Sequence, residues 1–179
     1  MLLRCEFTYR RGVPGDELLL GVFATQVFLD TYATNGINSD LAHEAVSVYS
    51  VEALAARIHD PRAEIIIAES NGYVVAFLDL SFDRACPVPR ISGPEVLRLY
   101  VQAPFQRRGL GRTLLKQAEV GARAAGAPFI WLTAWSGNSG ALAFYLAAGF
   151  HDVGVTEYVI GGKSYENRVF AKALATSAA

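Results

Sequence analysis

Cysteine, excess charge and long apolar runs are all scarce in this chain of 179 residues. Its two cysteines, Cys5 and Cys86, form no metal-ligand spacing, which predicts a reduced, cytoplasmic protein without a bound metal. The formal net charge of −1 excludes the broad basic surface that a nucleic-acid backbone requires. The most apolar stretch, residues 65–80, is interrupted by polar residues before it reaches the roughly 20 residues that cross a membrane. We therefore expect no nucleic-acid or membrane partner.

Hydrophobic residues make up 52% of the chain, and its length predicts one compact domain. Periodicity and turn signals predict a strand at 7–10, helical regions at 17–32 and 41–60, strands at 64–69, 73–80 and 95–102, a helix at 111–125, a strand at 129–135, a helix at 140–148, and strands at 154–160 and 167–173. The Asn71-Gly72 pair predicts a tight hairpin. This order predicts an α/β fold, more narrowly an α+β mixed sheet: mostly antiparallel strands, a parallel βαβ core and flanking helices.

A glycine-rich segment, QRRGLGR at residues 106–112, links a predicted strand to a predicted helix. At such a turn, successive backbone N–H groups and the positive end of the helix dipole point to one place. Gly109 and Gly111 allow close approach to the backbone because they carry no Cβ. Three arginines can add charged hydrogen bonds to phosphate oxygens. They are Arg107, Arg108 and Arg112. The segment therefore predicts a pyrophosphate-binding loop.

Two familiar phosphate loops do not match this segment. A P-loop requires Gly-Lys-Ser or Gly-Lys-Thr after its first glycine and four further residues, and this chain lacks that sequence. A dinucleotide fingerprint requires a third glycine where Leu114 stands, and places its first glycine directly after the strand. A third pattern, Gln/Arg-x-x-Gly-x-Gly/Ala, matches in full.

A second motif, NSGALAFYLAAGF, begins at Asn138 and contains Tyr145. Together with VQAPFQRRGLGRTLL it resembles the GNAT superfamily of acetyltransferases, in both order and spacing. The resemblance spans roughly residues 64–173. It implies a single acetyltransferase domain over residues 1–179, with an acetyl-CoA-binding core at about 64–173 and a variable helical part at about 1–62.

The resemblance implies acetyl-CoA as the co-substrate. Backbone groups of one strand would pair with its pantetheine arm, the glycine-rich loop would wrap its pyrophosphate, and an asparagine would contact the arm. The expected cofactor-binding residues are Leu99, Tyr100, Val101, Arg107, Arg108, Gly109, Leu110, Gly111, Arg112 and Asn138. Tyr145 would protonate the departing CoA thiolate, a suitable role for a phenol in a dry cleft.

One departure from the family pattern concerns the general base. Some protein N-terminal acetyltransferases of this superfamily carry a glutamate five residues before the asparagine, where this chain has Thr133. Threonine cannot deprotonate an amine, so either Glu95 or a chain of water molecules must do so. Glu95 lies roughly 13–20 Å along the strand from residues 99–101, at about 3.3 Å per residue, so we expect a water relay.

Three functions remain open at this stage. The first is transfer of acetyl to a primary amine of a small molecule by direct attack in a ternary complex, similar to bacterial acetyltransferases of polyamines and small amines. The second is acetylation of a protein N-terminus or lysine, which Thr133 disfavours. The third is a non-catalytic acyl-CoA sensor, against which Tyr145 argues. The sequence does not identify the acceptor, and whether the chain forms a homodimer also stays open.

Overall fold

The computed structural model of the protein describes residues 6–174, and Cys5 lies outside that range. The strands are β1 (Phe7–Arg11), β2 (Ala63–Ser70), β3 (Tyr73–Ser81), β4 (Glu95–Val101), β5 (Phe129–Trp135), β6 (His151–Ile160) and β7 (Lys163–Ala173). The helices are α1 (Glu17–Tyr32), α2 (Ser39–Val48), α3 (Val51–His59), α4 (Leu110–Ala124) and α5 (Ser139–Ala147). A short 3₁₀ turn, Ala103–Phe105, follows β4.

The second helical region consists of two helices because the chain provides two separate N-caps. Asn38 caps α2 by accepting a hydrogen bond from the backbone N–H of Leu41. Ser50 caps α3 in the same way, through the N–H of Ala53. Such caps satisfy N–H groups that have no partner inside the helix. The helices α1, α2 and α3 therefore form a cluster connected by short turns.

Residues 6–174 form a sheet of seven strands in the order β1-β2-β3-β4-β5-β7-β6. Every neighbouring pair is antiparallel except β4 and β5, which are parallel and joined through α4. The predicted fold class, a mixed sheet with a parallel βαβ core, is confirmed. The predicted hairpin is also present, because Asn71 and Gly72 both adopt positive φ angles, 53° and 80°, as a tight turn between twisted strands requires.

The two parallel strands touch at one point and then separate. Glu95 opposite Trp131 is their one Cα pair, and the Trp131 N–H donates to the Pro94 carbonyl at 3.1 Å. On its other edge, β4 contains a bulge: Val96 opposes Leu80 and Arg98 opposes Asp79, so Leu97 is left without a partner. A bulge bends and twists its strand. It accompanies the divergence of β4 from β5.

The sheet separates the two larger of three apolar clusters in the described residues. On one face, here called the α4 face, α4 packs with an apolar stripe that is fully buried: Leu114, Leu115, Ala118 and Ala122. On the other, the α1 face, the clustered helices α1, α2 and α3 cover the sheet around Phe77. Side chains of β4 contribute to both cores, since Leu99 and Val101 pack on the α4 face and Tyr100 on the α1 face. The gap between β4 and β5 therefore connects the two faces.

No helix within residues 6–174 combines the length and apolar character needed to cross a membrane.

Candidate active site

A cleft of about 920 Å³ occupies the gap between β4 and β5. It brings together nearly all the residues predicted from the sequence. These are Glu95, Leu99, Tyr100, Val101, Arg107, Gly109, Leu110, Gly111, Arg112, Asn138 and Tyr145. The structure thus joins one strand, one loop and one later helix in a single cavity.

The loop before α4 leaves space beside its backbone. Gly109 is the N-cap of α4 with φ +87°, and a Cβ placed on it would meet no atom within 4 Å. Arg107 also has a positive φ, 59°, which is uncommon for a residue other than glycine. Within residues 6–174, the guanidinium groups of Arg107 and Arg112 have no hydrogen bond or ion pair, and both line the cleft. This open, cationic loop at a helix N-terminus fits a pyrophosphate.

Gly111 and Arg108, both expected to contact the pyrophosphate, also pack against aromatic rings of the protein. A Cβ on Gly111 would lie 3.0 Å from the ring of Phe144, so this glycine is needed for close packing of α4 against α5. The Arg108 guanidinium lies over two rings, 5.1 Å from the centroid of Phe7 and 5.5 Å from that of Phe105. The side chain of Arg108 does not line the cleft, unlike those of Arg107 and Arg112.

The edge of β4 that faces β5 is open beyond Glu95, because β5 has diverged. Backbone N–H and C=O groups along such an edge can pair with an extended ligand that carries amides. The carbonyl of Val101 already accepts a hydrogen bond from the Gln106 side chain at 3.2 Å. The available edge therefore lies mainly before Val101, around Leu99 and Tyr100.

Asn138 and Tyr145 both belong to α5 and its cap. The Asn138 side chain accepts a hydrogen bond from the Ala141 N–H at 3.0 Å, so it caps α5 and also lines the cleft. Tyr145 is 8% exposed and packs against Phe150 and Phe170, with its hydroxyl making no hydrogen bond within the described chain. Burial raises the pKa of Tyr145, so the phenol stays protonated at neutral pH.

Glu95 lies where β4 and β5 meet, 7% exposed but lining the cleft. Burial raises the pKa of its carboxyl, partly opposed by the positive charge of Arg84. A carboxylate whose pKa moves toward neutrality is better suited to accept a proton. Thr133 also lines the cleft, on the adjacent strand.

A buried ion network behind Glu95 was not predicted. Asp79 is fully buried, and its carboxylate forms two ion pairs. Its oxygens lie 2.7 Å from a guanidinium nitrogen of Arg57 in α3 and 2.6 Å from one of Arg98 in β4. The Arg98 guanidinium also lies 5.5 Å from the ring centroid of Tyr49. The three charged residues are distant in sequence, and only the β3–β4 register, which places Asp79 opposite Arg98, brings two of them together.

Aromatic rings line the α1 face of the cleft. They are Phe28, Tyr32, Tyr49, Tyr100, Trp135 and Tyr158. Tyr32 packs on Trp135 with ring centroids 5.3 Å apart, and burial raises the pKa of Tyr32 to about 12. The hydroxyls of Tyr49 and Tyr100 are hydrogen-bonded at 2.7 Å. Of these residues, only Tyr100 was named from the sequence, and for its backbone groups, not for its ring.

Asn167 of β7 is a further cleft residue without a sequence signal. It is 7% exposed, and its side-chain oxygen is buried without a hydrogen-bond partner within residues 6–174. In that part of the chain, no set of three or more His, Cys, Asp or Glu side chains is arranged to hold a metal ion.

Comparison with known proteins gives a consistent result. A model of the acetyltransferase (GNAT) family matches residues 31–150. An uncharacterised N-acetyltransferase from the pepI 3′ region of Lactobacillus delbrueckii subsp. lactis is 27% identical over 150 residues, covering 83% of this chain and 87% of the relative.

Two solved structures share the fold. The paiA N-acetyltransferase of Thermoplasma acidophilum, in complex with coenzyme A, has a TM-score of 0.77 at 21% identity, with 94% of this chain and 99% of that chain covered. The yncA structure from Salmonella typhimurium, with its cofactor acetyl-CoA, has a TM-score of 0.65 at 20% identity, with 97% and 96% covered.

Proposed function

Because this chain belongs to the acetyltransferase (GNAT) family, whose members are N-acetyltransferases, we propose that it transfers acetyl from acetyl-CoA to the primary amine of a compact small molecule. Attack is direct, in a ternary complex. The observation that carries the proposal is the cleft itself, which connects an open cationic loop on one face of the sheet with an aromatic chamber on the other.

The cofactor half of the cleft, formed by residues 99–112 and α5, suits coenzyme A. The N–H groups at the start of α4, with Arg107 and Arg112, would hold the pyrophosphate, and the open β4 edge would pair with the pantetheine amides. When bound, acetyl-CoA supplies an activated thioester. The space beside Gly109 supports this fit, since no atom outside Gly109 and its two chain neighbours lies within 4 Å of the Cβ position.

Two residues would manage the protons. Tyr145, kept protonated by burial, would give its proton to the sulfur that leaves as the new C–N bond forms. Glu95, with its raised pKa, would receive the proton that the acceptor's ammonium must lose before attack. Its position at the start of β4 favours transfer through water. After attack, the nitrogen loses a second proton, and this proton restores the one that Tyr145 gave to the sulfur.

The far wall of the acceptor side supports a small molecule over a polypeptide. Tyr158 of β6 donates a hydrogen bond to Glu44 of α2. Close by, a Cβ on Gly161 would overlap the side chain of Asp40. These contacts connect α2 with the β6–β7 hairpin beside Tyr158, which lines the cleft. A protein substrate needs a passage for its continuing chain.

The charges in the cleft support an acceptor with one amine. Among the described residues that line it, Glu95 is the one acidic side chain, and four are arginines: Arg84, Arg98, Arg107 and Arg112. Pyrophosphate would neutralise two of the arginines, and Arg98 is already paired with Asp79. A polyamine, one of the acceptors considered from the sequence, would meet a single carboxylate in the cleft. An apolar or aromatic monoamine would instead pack on the rings.

Thiol release from acetyl-CoA over a panel of amines tests this function. The panel contains 2-phenylethylamine, hexylamine, spermidine and a short peptide with a free N-terminus. We expect kcat/KM for the two monoamines to exceed that for spermidine and peptide by about 10-fold or more, equivalent to about 1.4 kcal/mol. Preference for the peptide would favour protein acetylation. Tight acetyl-CoA binding without thiol release from any amine would favour the sensor function.

A further inference from the structure

Asn167 occupies the acceptor side of the cleft at a defined depth. It lies opposite Trp135 of β5 and Thr156 of β6, and residues directly opposite in antiparallel strands point to the same face. Trp135 packs on Tyr32 of α1, so this is the α1 face of the sheet. Asn167 is therefore separated by the sheet from the α4 face, where Tyr145 packs.

The depth of Asn167 matches that of the expected acetyl group. The strands β4 and β5 pair at Glu95 and Trp131, and they run parallel. Four residues further along each strand, roughly 13 Å from that point, lie Leu99 and Trp135. Asn167 pairs with Trp135, so it stands level with the open part of β4.

The side-chain oxygen of Asn167 lacks a hydrogen-bond partner among the described residues. This oxygen is fully buried and accepts no hydrogen bond within residues 6–174, and no other buried side-chain nitrogen or oxygen of those residues lacks a partner. Buried polar groups nearly always have partners, because an unpaired one loses its bonds to water without replacement. A partner that enters the cleft with the substrate satisfies this requirement.

We propose that Asn167 positions the acceptor, its carboxamide oxygen accepting a hydrogen bond from the amine N–H. This inference rests on the proposed function and adds a specificity-determining contact to it. A carbonyl oxygen accepts but cannot donate, so it selects an N–H donor. The bond orients the nitrogen lone pair toward β4, while the rings of Tyr32 and Trp135 pack against the apolar body of the acceptor.

The test compares Asn167→Leu, which has a similar shape without the acceptor oxygen, with Asn167→Asp, which keeps an oxygen. For Asn167→Leu we expect KM for 2-phenylethylamine to rise about 10-fold or more, with the KM for acetyl-CoA unchanged. We expect Asn167→Asp to retain most of the affinity for the amine. An unchanged amine KM in Asn167→Leu, or an equal rise for both substrates, overturns the proposal.

Thermal unfolding without ligands provides a second readout that does not need activity. Because the oxygen has no partner within residues 6–174, we expect Asn167→Leu to have a melting temperature equal to or above that of the wild type. A lower melting temperature would show a structural role and overturn the proposal. If the wild type turns over no amine, 2-phenylethylamine is titrated into the protein–CoA complex and binding is measured by calorimetry. Absence of binding contradicts both the proposed acetyl transfer and the role of Asn167. Binding that Asn167→Leu weakens supports the role of Asn167 alone.

Discussion

The two halves of the cleft are built in different ways. The cofactor half comes from two short stretches of chain. Residues 99–112 run from the end of β4 through the loop into α4, and residues 138–145 form the N-cap and most of α5. The acceptor half draws single residues from many distant elements. They include Phe28 and Tyr32 of α1, Tyr49 after α2, Trp135 of β5, Tyr158 of β6 and Asn167 of β7.

This difference follows from what each half must recognise. A pyrophosphate can be held by backbone N–H groups and a helix dipole, which a short local sequence produces wherever it occurs. An amine with an apolar body needs side chains arranged around it in three dimensions. Such an arrangement depends on strand order and helix packing, so the two halves should respond differently to substitution.

The largest effect is expected in the cofactor half, from Gly109→Asp. A carboxylate at that open position would lie beside the pyrophosphate, and like charges in contact cost several kcal/mol, so acetyl-CoA affinity should fall by about 100-fold or more. Isothermal titration calorimetry measures this directly.

Gly126→Asp is the matched control for this change. Gly126 also has a positive φ, +73°, and open space around its Cβ position, but it lies beyond the other end of α4. Both substitutions impose similar backbone strain, about 1 kcal/mol or more. We expect the control to bind acetyl-CoA normally. Equal affinity in the two variants would remove the loop from cofactor binding. Gly111→Asp should also abolish binding, but its contact with Phe144 makes that result ambiguous.

An effect of comparable size is expected from a test of the chemistry where the halves meet. Tyr145→Phe should lower kcat by roughly 10²–10⁴, the usual range for loss of a general acid, while acetyl-CoA affinity stays unchanged. Stability should also change little, since the lost hydroxyl has no partner within the described residues. Steady-state kinetics and calorimetry make the comparison. Tyr9→Phe, on a half-buried tyrosine outside the cleft, is the control, and a kcat for Tyr145→Phe equal to that of the control would assign Tyr145 to packing alone.

Much of the fold could be predicted because its signals are local. The Asn71-Gly72 turn, the Ser50 cap and the apolar stripe of α4 each depend on residues close together in sequence. The central parallel unit also follows from the order of elements. The separation of β4 from β5 could not be predicted from the residues alone. It depends on the β3–β4 register, which shifts at the bulge at Leu97.

The candidate site shows the same division. The loop at 106–112 and Tyr145 were identified from motifs, whereas Asp79, Arg57 and Asn167 were not. A buried aspartate inside a β3 sequence, YVVAFLDLS, is itself an unusual polar residue in an apolar strand and was an available signal. Asn167 offers no comparable sign, because it is the first residue of the strand predicted at 167–173, and an asparagine at a strand end is equally suited to a solvent-exposed position.

The smallest effect is expected from Glu95→Gln, and its sign can be worked out for both stability and activity. Burial raises the pKa of Glu95 in the folded protein above its ordinary value of 4.5. Between 4.5 and the raised pKa, the unfolded chain is ionised while the folded protein holds its proton, so rising pH favours unfolding through this group. The free energy of unfolding of the wild type should therefore decline relative to that of Glu95→Gln as pH rises through this interval. Urea denaturation at a series of pH values measures this difference.

For activity, Glu95→Gln should lower kcat/KM roughly tenfold near pH 7, less than the usual 10²–10⁴ because the carboxylate acts through water. The two profiles should converge toward pH 10, where an amine with a pKa near 10.4 carries its own neutral fraction. The measurement is kcat/KM from about pH 6 to 10 with 2-phenylethylamine. Thr133→Val, on the adjacent strand of the same cleft, is the control and should leave the profile's shape unchanged. The pH profiles of kcat/KM for the wild type and Glu95→Gln could instead coincide while their free energies of unfolding differ. The carboxylate would then be buried and ionisable without serving as the base, and bulk water would remove the proton.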